Sequence, residues 1–375
     1  MKYWFALVAS LLFFTNCRHA APPPVAVLPP IPEGERPRNV ILLIGDGMGL
    51  TQVSAGLYSN NNHLNLEQCT ATGLIKTYSA SHLVTDSGAG ATAFACGCKT
   101  YNTAIGVDKN KKPCRTLLEQ AEAKDMATGL VVSSSLTHAT PASFYAHVTA
   151  RKETEAIAAD FLQQNIDFAV GGGLYDFAKR TTDSRDLRRE LQAKGYVVAD
   201  SAQSPLAALH PDPAHPFVWF SATREPRYAR EGRDYLPVAA RMAPAFLQKR
   251  SDKGFFLMIE GSQIDWASHQ NNADNAIGEM LDFDAAIGAA LDFARADEHT
   301  LVVITADHET GGMSIVQGSE MDKLELKFNT QQHTGVMVPV FAFGPGAKLF
   351  NGLYENTDIY VKIAALLGFD AAAGK

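Results

Sequence analysis

Five short runs of apolar and β-branched residues punctuate the chain, and each ends in glycine or in polar residues. They cover residues 39–44, 127–132, 254–259, 300–305 and 338–343. Apolar runs that no polar position interrupts are typical of strands buried on both faces, as in a parallel sheet. Stretches with helical patterning lie between them, for example residues 114–124 and 275–295. This alternation predicts an α/β fold, a three-layer sandwich in which helices cover both faces of a mostly parallel central sheet.

The segment from about residue 175 to residue 250 breaks this pattern. It is polar, rich in arginine around residues 185–189 and rich in proline around residues 205–216. We therefore expect an excursion of helices and loops beside the sheet, and the segment shows no catalytic pattern. The length from residue 38 to residue 375 suits a single domain that carries this excursion.

The first 16 residues combine a short charged start with an apolar run that is too short to span a membrane. This is typical of a signal peptide, so we expect export, to the periplasm or beyond it. Cys17 follows directly and resembles a bacterial lipoprotein site, at which the lipidated cysteine would anchor the chain to the outer membrane. A soluble secreted form is the alternative. Proline-rich residues up to 37 predict a stiff tether rather than part of the fold.

Charge and cysteine content limit the function further. The 375 residues carry a formal net charge of −7, so nothing indicates a nucleic-acid-binding surface, and an anionic substrate must be attracted by a local charge. Beyond Cys17 the cysteines are Cys69, Cys96, Cys98 and Cys114. These allow three sets of disulfide pairs, of which a local loop closure between Cys98 and Cys114 is favoured. A zinc site of the Cys-x-Cys type would need a second spaced pair of cysteines, which the sequence lacks.

Candidate metal ligands collect where the predicted strands end, and one more stands in a loop just before the fifth run. They are Asp46, Glu260, Asp307, His308 and His333. Asp265 and His269 are four residues apart, so on a helix they share one face. Any one of these could be an ordinary capping or ion-pairing residue, but together at the ligand edge of one sheet they indicate a site. Imidazole and carboxylate suit zinc, whereas carboxylates with a threonine suit magnesium.

A candidate nucleophile stands in the stretch from Val84 to Ala93, which is dominated by small residues. Asp86 directly precedes Ser87, and the run then continues as a helical pattern. The Ser87 hydroxyl would lie at a helix N-terminus, where unpaired N–H groups and the helix dipole favour an anion. A tightly packed core helix with a serine cap is the competing interpretation.

Taken in order, these segments resemble the motifs of the alkaline phosphatase family. The family's nucleophile pattern resembles residues 84–92, and its magnesium- and phosphate-binding segment resembles residues 138–141 and 146–151. Its metal-binding segments resemble residues 260–269, 305–309 and 333–335. Each motif alone is moderately specific. All of them in the family's order, from about residue 38 to residue 346, are very specific.

The resemblance implies two Zn2+ and one Mg2+ per chain. The first zinc would be held by Asp265, His269 and His333, and the second by Asp46, Asp307 and His308. The magnesium would be held by Asp46, Thr140 and Glu260, so that Asp46 bridges to the second zinc.

The implied activity is non-specific hydrolysis of phosphate monoesters. Ser87 would attack phosphorus and form a phosphoserine that water then hydrolyses, while Arg151 would clamp two phosphate oxygens in a bidentate fork. Two further positions near the substrate vary in the family, and here they are His138 and Trp266. This pair resembles compact enzymes of marine and cold-living bacteria, and His138 leaves the third metal open between magnesium and zinc. Family members are commonly homodimers, which implies a homodimer here.

Two other readings compete with this one. A phosphodiesterase of the same superfamily usually has a threonine nucleophile and lacks the magnesium ligands, and a sulfatase needs a Cys/Ser-x-Pro-x-Arg segment that this chain lacks. A lipid-tethered protein that binds phosphate or metal without turnover would leave Ser87 unexplained. Both readings are weaker than a phosphomonoesterase.

Overall fold

The computed structural model describes residues 28–370, so the predicted signal peptide, Cys17 and most of the tether lie outside the described residues. Within this range no helix is both long enough and apolar enough to cross a membrane. The strands are β1 Asn39–Gly45, β2 Ala71–Lys76, β3 Ala127–Ser135, β4 Phe168–Gly172, β5 Val197–Asp200, β6 Phe217–Phe220, β7 Phe255–Gly261, β8 Thr300–Thr305, β9 Glu309–Thr310, β10 Met313–Ile315, β11 Leu326–Phe328, β12 His333–Thr334, β13 Val338–Phe343 and β14 Gly352–Glu355. The helices are α1 Leu50–Tyr58, α2 Ser87–Cys96, α3 Leu117–Glu122, α4 Ala139–Ala142, α5 Thr154–Phe161, α6 Leu174–Ala178, α7 Leu187–Ala193, α8 Tyr235–Arg250, α9 Gln263–His269, α10 Ala273–Asp297 and α11 Thr357–Leu367.

A ten-stranded sheet forms the middle of the molecule, in the order β14-β2-β13-β8-β1-β7-β3-β4-β6-β5. The described strands of this sheet pair in parallel except β13, which is antiparallel to both β2 and β8. All seven residues of β1 and of β7 are buried, as an apolar strand covered on both faces requires. The predicted mostly parallel sheet is confirmed.

Helices cover both faces of the sheet. Successive side chains of a strand point to opposite faces. In β7, Phe255 packs against Phe293 of α10, whereas Phe256 packs against Phe144, which lies just after α4. Helices α8 and α10 contact the sheet and each other, and α2 contacts α3, α4 and α11. The three-layer arrangement predicted from the sequence is therefore present.

The prediction for residues 175–250 was wrong in one respect, because this segment is not confined to helices and loops beside the sheet. It contributes β5 and β6, which extend the sheet at one edge. The four residues of β6 are all buried, and Phe217 packs on Phe168 of β4 with ring centroids 5.4 Å apart. Such a short apolar segment directly after a proline-rich stretch gives little periodic signal, which is why the pattern missed it.

The predicted boundary between tether and domain at residue 37 is also too late. Ile31 packs against the buried core, and residues Glu33–Glu35 form a 3₁₀ turn. The Arg36 guanidinium donates a hydrogen bond to the Ala365 carbonyl at 2.9 Å. The last residues of the proline-rich segment therefore belong to the folded body.

Candidate metal centre

Three central strands bring their carboxyl ends together at one edge of the sheet. Ile44 of β1 lies opposite Glu260 of β7 on one side and Thr305 of β8 on the other. Asp46 follows β1 by one position, and Asp307 and His308 follow β8. In an open parallel sheet this edge is where ligands bind. The register therefore places carboxylates from three strands around one point.

Helix α2 delivers Ser87 to the same point. The helix begins at Ser87, and the Asp86 carboxylate caps it by accepting a 3.0 Å hydrogen bond from the Ala89 N–H. All ten residues of α2 are buried. A Cβ at Gly90 would lie 3.0 Å from the Asp307 Cβ, and one at Gly88 would lie 2.8 Å from the Ala104 carbonyl oxygen. Gly90 thus lets the helix approach the end of β8, and Gly88 lets it approach the loop that contains Ala104.

Three residues, which we call the first ligand group, are Asp265, His269 and His333. Asp265 and His269 lie one turn apart on α9, and their Oδ1 and Nε2 atoms are 3.3 Å apart. His333 was predicted in a loop but lies in β12, which pairs with β9. Its Nε2 atom is 3.0 Å from the His269 Nε2 atom.

Backbone carbonyls fix the tautomers of these two histidines. His269 Nδ1 lies 2.6 Å from the Gln331 carbonyl oxygen, and His333 Nδ1 lies 2.9 Å from the Thr85 carbonyl oxygen. Because a carbonyl only accepts, both Nδ1 atoms must donate. In the neutral imidazoles both Nε2 atoms then carry lone pairs, which converge beside the Asp265 carboxylate. Such a set suits a cation, and carbonyl-oriented imidazoles are typical of metal ligands.

The second ligand group consists of Asp46, Asp307 and His308, none of which is exposed. The His308 Nε2 atom lies 3.3 Å from Asp307 Oδ2 and 3.5 Å from Asp46 Oδ1. It also lies 3.4 Å from the Ser87 hydroxyl oxygen. A cation held by this group would therefore adjoin the Ser87 oxygen.

A third ligand group combines Asp46, His138 and Glu260. The Thr140 hydroxyl adjoins Glu260 and has no hydrogen-bond partner, although it is buried. The Ser134 hydroxyl also contacts Glu260, at 3.4 Å from Glu260 Oε2. Asp46 belongs to both this group and the second, as a bridging ligand would.

Buried oxygen and nitrogen atoms without partners concentrate in the second and third groups. Those that belong to carboxylates and to a hydroxyl are both carboxylate oxygens of Asp46, Asp307 Oδ2, Glu260 Oε1 and Thr140 Oγ1. Leaving one buried polar atom unpaired costs about 1–3 kcal/mol, and more for a charged atom. Such a concentration is unstable without a counter-ion, so the residues fit bound cations. Carboxylates with imidazole suit zinc, and the oxygen-rich third group suits magnesium.

The titration behaviour points the same way. Burial, followed by the charges of Asp307 and Asp265, raises the pKa of Asp46 well above its ordinary value. Burial likewise raises the pKa of Glu260 to about 8 and, with the charge of Asp265, that of Asp307 to about 7. Burial lowers the pKa of His308, which favours the neutral imidazole that binds a metal. Cations would replace the protons that these carboxyls otherwise hold.

Arg151 also faces Ser87. Its Nη1 atom lies 3.5 Å from the Ser87 hydroxyl oxygen and 3.3 Å from Asp86 Oδ2. Its Nη2 atom lies 3.1 Å from His138 Nε2, and His138 packs edge-on against Trp266 with centroids 5.6 Å apart. Burial, with the charge of Arg151, lowers the pKa of His138 to about 3, so the ring stays neutral. Every site residue predicted from the sequence lies in this one region.

Two residues of the region were given no role in the sequence analysis. Asp86 both caps α2 and pairs with Arg151, and its position directly before Ser87 was a usable signal. Thr310 is fully buried, and its hydroxyl donates to Asp265 Oδ1 and lies 3.2 Å from His308 Nδ1. No sequence pattern marks Thr310, because its role depends on the β9–β12 pairing.

Comparison with known proteins identifies the family of this chain. A model of the alkaline phosphatase family matches residues 37–329. The chain belongs to the alkaline phosphatase family. It is 33% identical to the alkaline phosphatase of Escherichia coli K12, over 88% of this chain and 86% of that protein. It therefore acts as a metal-dependent phosphomonoesterase, as the sequence analysis predicted.

Solved structures support the same assignment. The alkaline phosphatase of the Antarctic bacterium TAB5 is 40% identical and superposes with a TM-score of 0.83, over 89% of this chain and 99% of that chain. A cold-active alkaline phosphatase from a psychrophilic Shewanella is 31% identical with a TM-score of 0.78, over 88% of this chain and 99% of that chain. The predicted resemblance to enzymes of cold-living bacteria is confirmed. A mutant of the TAB5 enzyme has Mg bound in its M3 site.

Proposed function

We propose that this alkaline phosphatase hydrolyses phosphate monoesters through a phosphoserine on Ser87. The observation that carries this proposal is the position of the Ser87 oxygen, within 3.5 Å of both Arg151 Nη1 and His308 Nε2. One neighbour is a fixed cation that can hold phosphate oxygens. The other belongs to a ligand group that fits a metal ion. A serine between two such partners can attack a phosphorus atom in line.

The first and second ligand groups would each hold one Zn2+, and the third group, with Thr140, would hold one Mg2+. When bound, zinc lowers the pKa of a coordinated oxygen and offsets negative charge on the attacking and leaving oxygens. Magnesium is bound in the M3 site of TAB5 variants in which a histidine is replaced by aspartate or glutamate, whereas the third group here retains His138, so Zn2+ is the alternative ion for this group. His138 Nε2 faces Arg151, so this ring would be a weak ligand there unless it turned.

Arg151 would hold the phosphoryl group during the reaction. A guanidinium can donate two parallel hydrogen bonds to two phosphate oxygens, which a lysine cannot do. Asp86 and His138 contact Nη1 and Nη2 of Arg151 and so hold the plane of its guanidinium. The helix α2 N-terminus would add its free N–H groups to the same anion. Because these groups contact phosphate oxygens alone, we expect loose selection of the leaving group.

Replacement of the nucleophile tests the proposal. In the Ser87→Ala variant, release of phosphate from an aryl phosphate at alkaline pH should fall by about 10³-fold or more, while zinc content stays at the wild-type value. Wild-type enzyme quenched in acid with labelled substrate should carry one phosphate on Ser87. Activity that survives both the mutation and a chelator would refute the mechanism. A diester substrate turned over faster than its monoester would favour the phosphodiesterase reading.

Export and assembly are further parts of the proposal. Residues 1–16 and Cys17 support an exported chain that is lipid-anchored at the outer membrane or released to the periplasm. The resemblance to the family supports a homodimer, and exposed apolar side chains at Leu83 and Val336 offer area for one. Mass spectrometry of the mature N-terminus tests the lipid. Light scattering at several protein concentrations tests the dimer.

A further inference from the structure

Two cysteine thiols meet at the base of a loop that adjoins the site. Cys98 stands two residues after α2, and Cys114 stands three residues before α3. Their sulfur atoms are 3.2 Å apart. Cys98 is partly exposed, whereas Cys114 is 6% exposed. The two thiols therefore lie within reach of one another, and Cys98 is the more exposed of the two residues.

The loop between them, residues 99–113, supports the residues around Ser87. The Thr103 N–H donates to Asp86 Oδ2 at 3.0 Å, and the Thr103 carbonyl accepts from the Arg151 N–H at 2.8 Å. The Gly106 N–H donates to the Thr92 hydroxyl of α2 at 3.1 Å. Ile105 pairs with Val148 in a backbone bridge. The loop thus fixes both the cap of α2 and the backbone that carries Arg151.

We propose that Cys98 and Cys114 form a disulfide that closes this loop and holds the Asp86–Arg151 pair in place. Oxidation would start at the partly exposed Cys98, whose thiolate attacks a small-molecule disulfide and releases one thiol. The Cys114 thiolate then attacks the Cys98 sulfur of that mixed disulfide and releases the second thiol. Two protein thiols are oxidised and one external disulfide is reduced to two thiols, so atoms and electrons balance.

The other described cysteines are less suited to this bond. Cys96 is fully buried, and its thiol contacts the Cys114 carbonyl oxygen at 3.5 Å. An oxidant in solvent therefore reaches Cys98 first. Cys69 lies outside this cluster, next to Asp284, and provides a matched control. The disulfide would stabilise the fold mainly by lowering the conformational entropy of the unfolded chain, as loop-closing disulfides do.

Peptide mapping tests the bond without any activity measurement. The folded full-length enzyme is equilibrated in buffers of oxidised and reduced glutathione, alkylated, digested and analysed by mass spectrometry. A Cys98–Cys114 linkage that persists in Cys96→Ser and Cys69→Ser and vanishes in Cys98→Ser is the expected result. A Cys96–Cys114 linkage, or free thiols at both positions in oxidised glutathione, would overturn the proposal.

A second measurement tests the effect on the site, and this part rests on the proposed role of Arg151. Reduction by a phosphine, with zinc held in excess, should weaken competitive inhibition by inorganic phosphate by about fivefold, which corresponds to about 1 kcal/mol. Cys98→Ser should show the weaker inhibition with or without reductant, and Cys69→Ser should respond as the wild type does. Unchanged inhibition on reduction would overturn the link to Arg151. Absence of any turnover would instead contradict the proposed function and leave the mapping result intact.

Discussion

Replacing Thr310 by valine removes a buried hydroxyl that contacts both the first and the second ligand groups. That hydroxyl donates to Asp265 Oδ1 and lies 3.2 Å from His308 Nδ1. Having given its proton to Asp265, it can only accept from His308, so His308 must carry its proton on Nδ1. The Nε2 lone pair of His308 is then free to face Asp46, Asp307 and a metal ion. Thr310 thus fixes a carboxylate in one group and a tautomer in the other.

The size of the effect follows from these two contacts. A hydrogen bond to a charged group contributes about 1.5–3 kcal/mol, and removal of an outer-shell partner typically costs 10–100-fold in metal affinity. Valine nearly matches threonine in shape, so the cavity contribution is small, although the hydroxyl is lost. We therefore expect the zinc dissociation constant of Thr310→Val to rise by about 10–100-fold, and that of Thr310→Ser to stay within about threefold of the wild type.

Competition with a chromogenic chelator measures this constant without reference to turnover. Substitution by Co2+ adds a second readout, because its visible absorption responds to the geometry at each group. Folding of the variants is checked by circular dichroism in excess zinc. If Thr310→Val keeps wild-type zinc affinity and an unchanged cobalt spectrum, Thr310 does not position the ligands and the reasoning fails.

Three other outcomes are expected. Arg151→Lys should raise the KM for an aryl phosphate by about tenfold and leave kcat within about threefold in steady-state kinetics, because lysine keeps the charge but loses the two parallel hydrogen bonds. An equal loss of kcat/KM in Arg151→Lys and Arg151→Ala would contradict this. Trp266→Lys should tighten competitive inhibition by phosphate by adding a cation near the site, whereas Trp266→Phe should not, and unchanged inhibition in both would argue against the role of this position. The gap in melting temperature between metal-loaded and chelator-treated protein should widen from about pH 6.5 to pH 8. Burial raises the pKa of Asp307 to about 7 and of Glu260 to about 8, so the metal-free fold holds extra protons and loses stability as the pH rises through those values. Groups elsewhere affect both forms equally and cancel in the difference. A gap in melting temperature that narrows over this pH range would contradict the prediction.

Long apolar strands and their end residues were predictable because one physical rule governs both. A strand buried on both faces needs an unbroken apolar run, and a parallel sheet gathers the residues that follow such runs at one edge. This is why Asp46, Glu260 and Asp307 could be placed together from the sequence. Their detailed roles came from the family resemblance, which local pattern alone does not supply.

The elements that were missed depend on partners distant in the chain. Strand β6 is four residues long and becomes a strand through pairing with β4 and β5. His333 lies in a strand because Thr334 pairs with Glu309, and the Glu309 carboxylate accepts from the Thr334 hydroxyl. Thr310 gains its contacts from the same pairing. Such features follow from tertiary contacts, which outweigh local preference in short segments.

The shared position of Asp46 has a consequence for how the enzyme acquires its metals. Asp46 meets Asp307 and His308 only when β1 and β8 lie side by side, and Asp265 meets His333 only through the β9–β12 pairing. The unfolded chain therefore offers no complete ligand group, and ions bind after the sheet has formed. Affinity alone ranks metals in a fixed order that favours copper. Because capture comes last, the supply of ions in the compartment where folding finishes decides which metal is loaded.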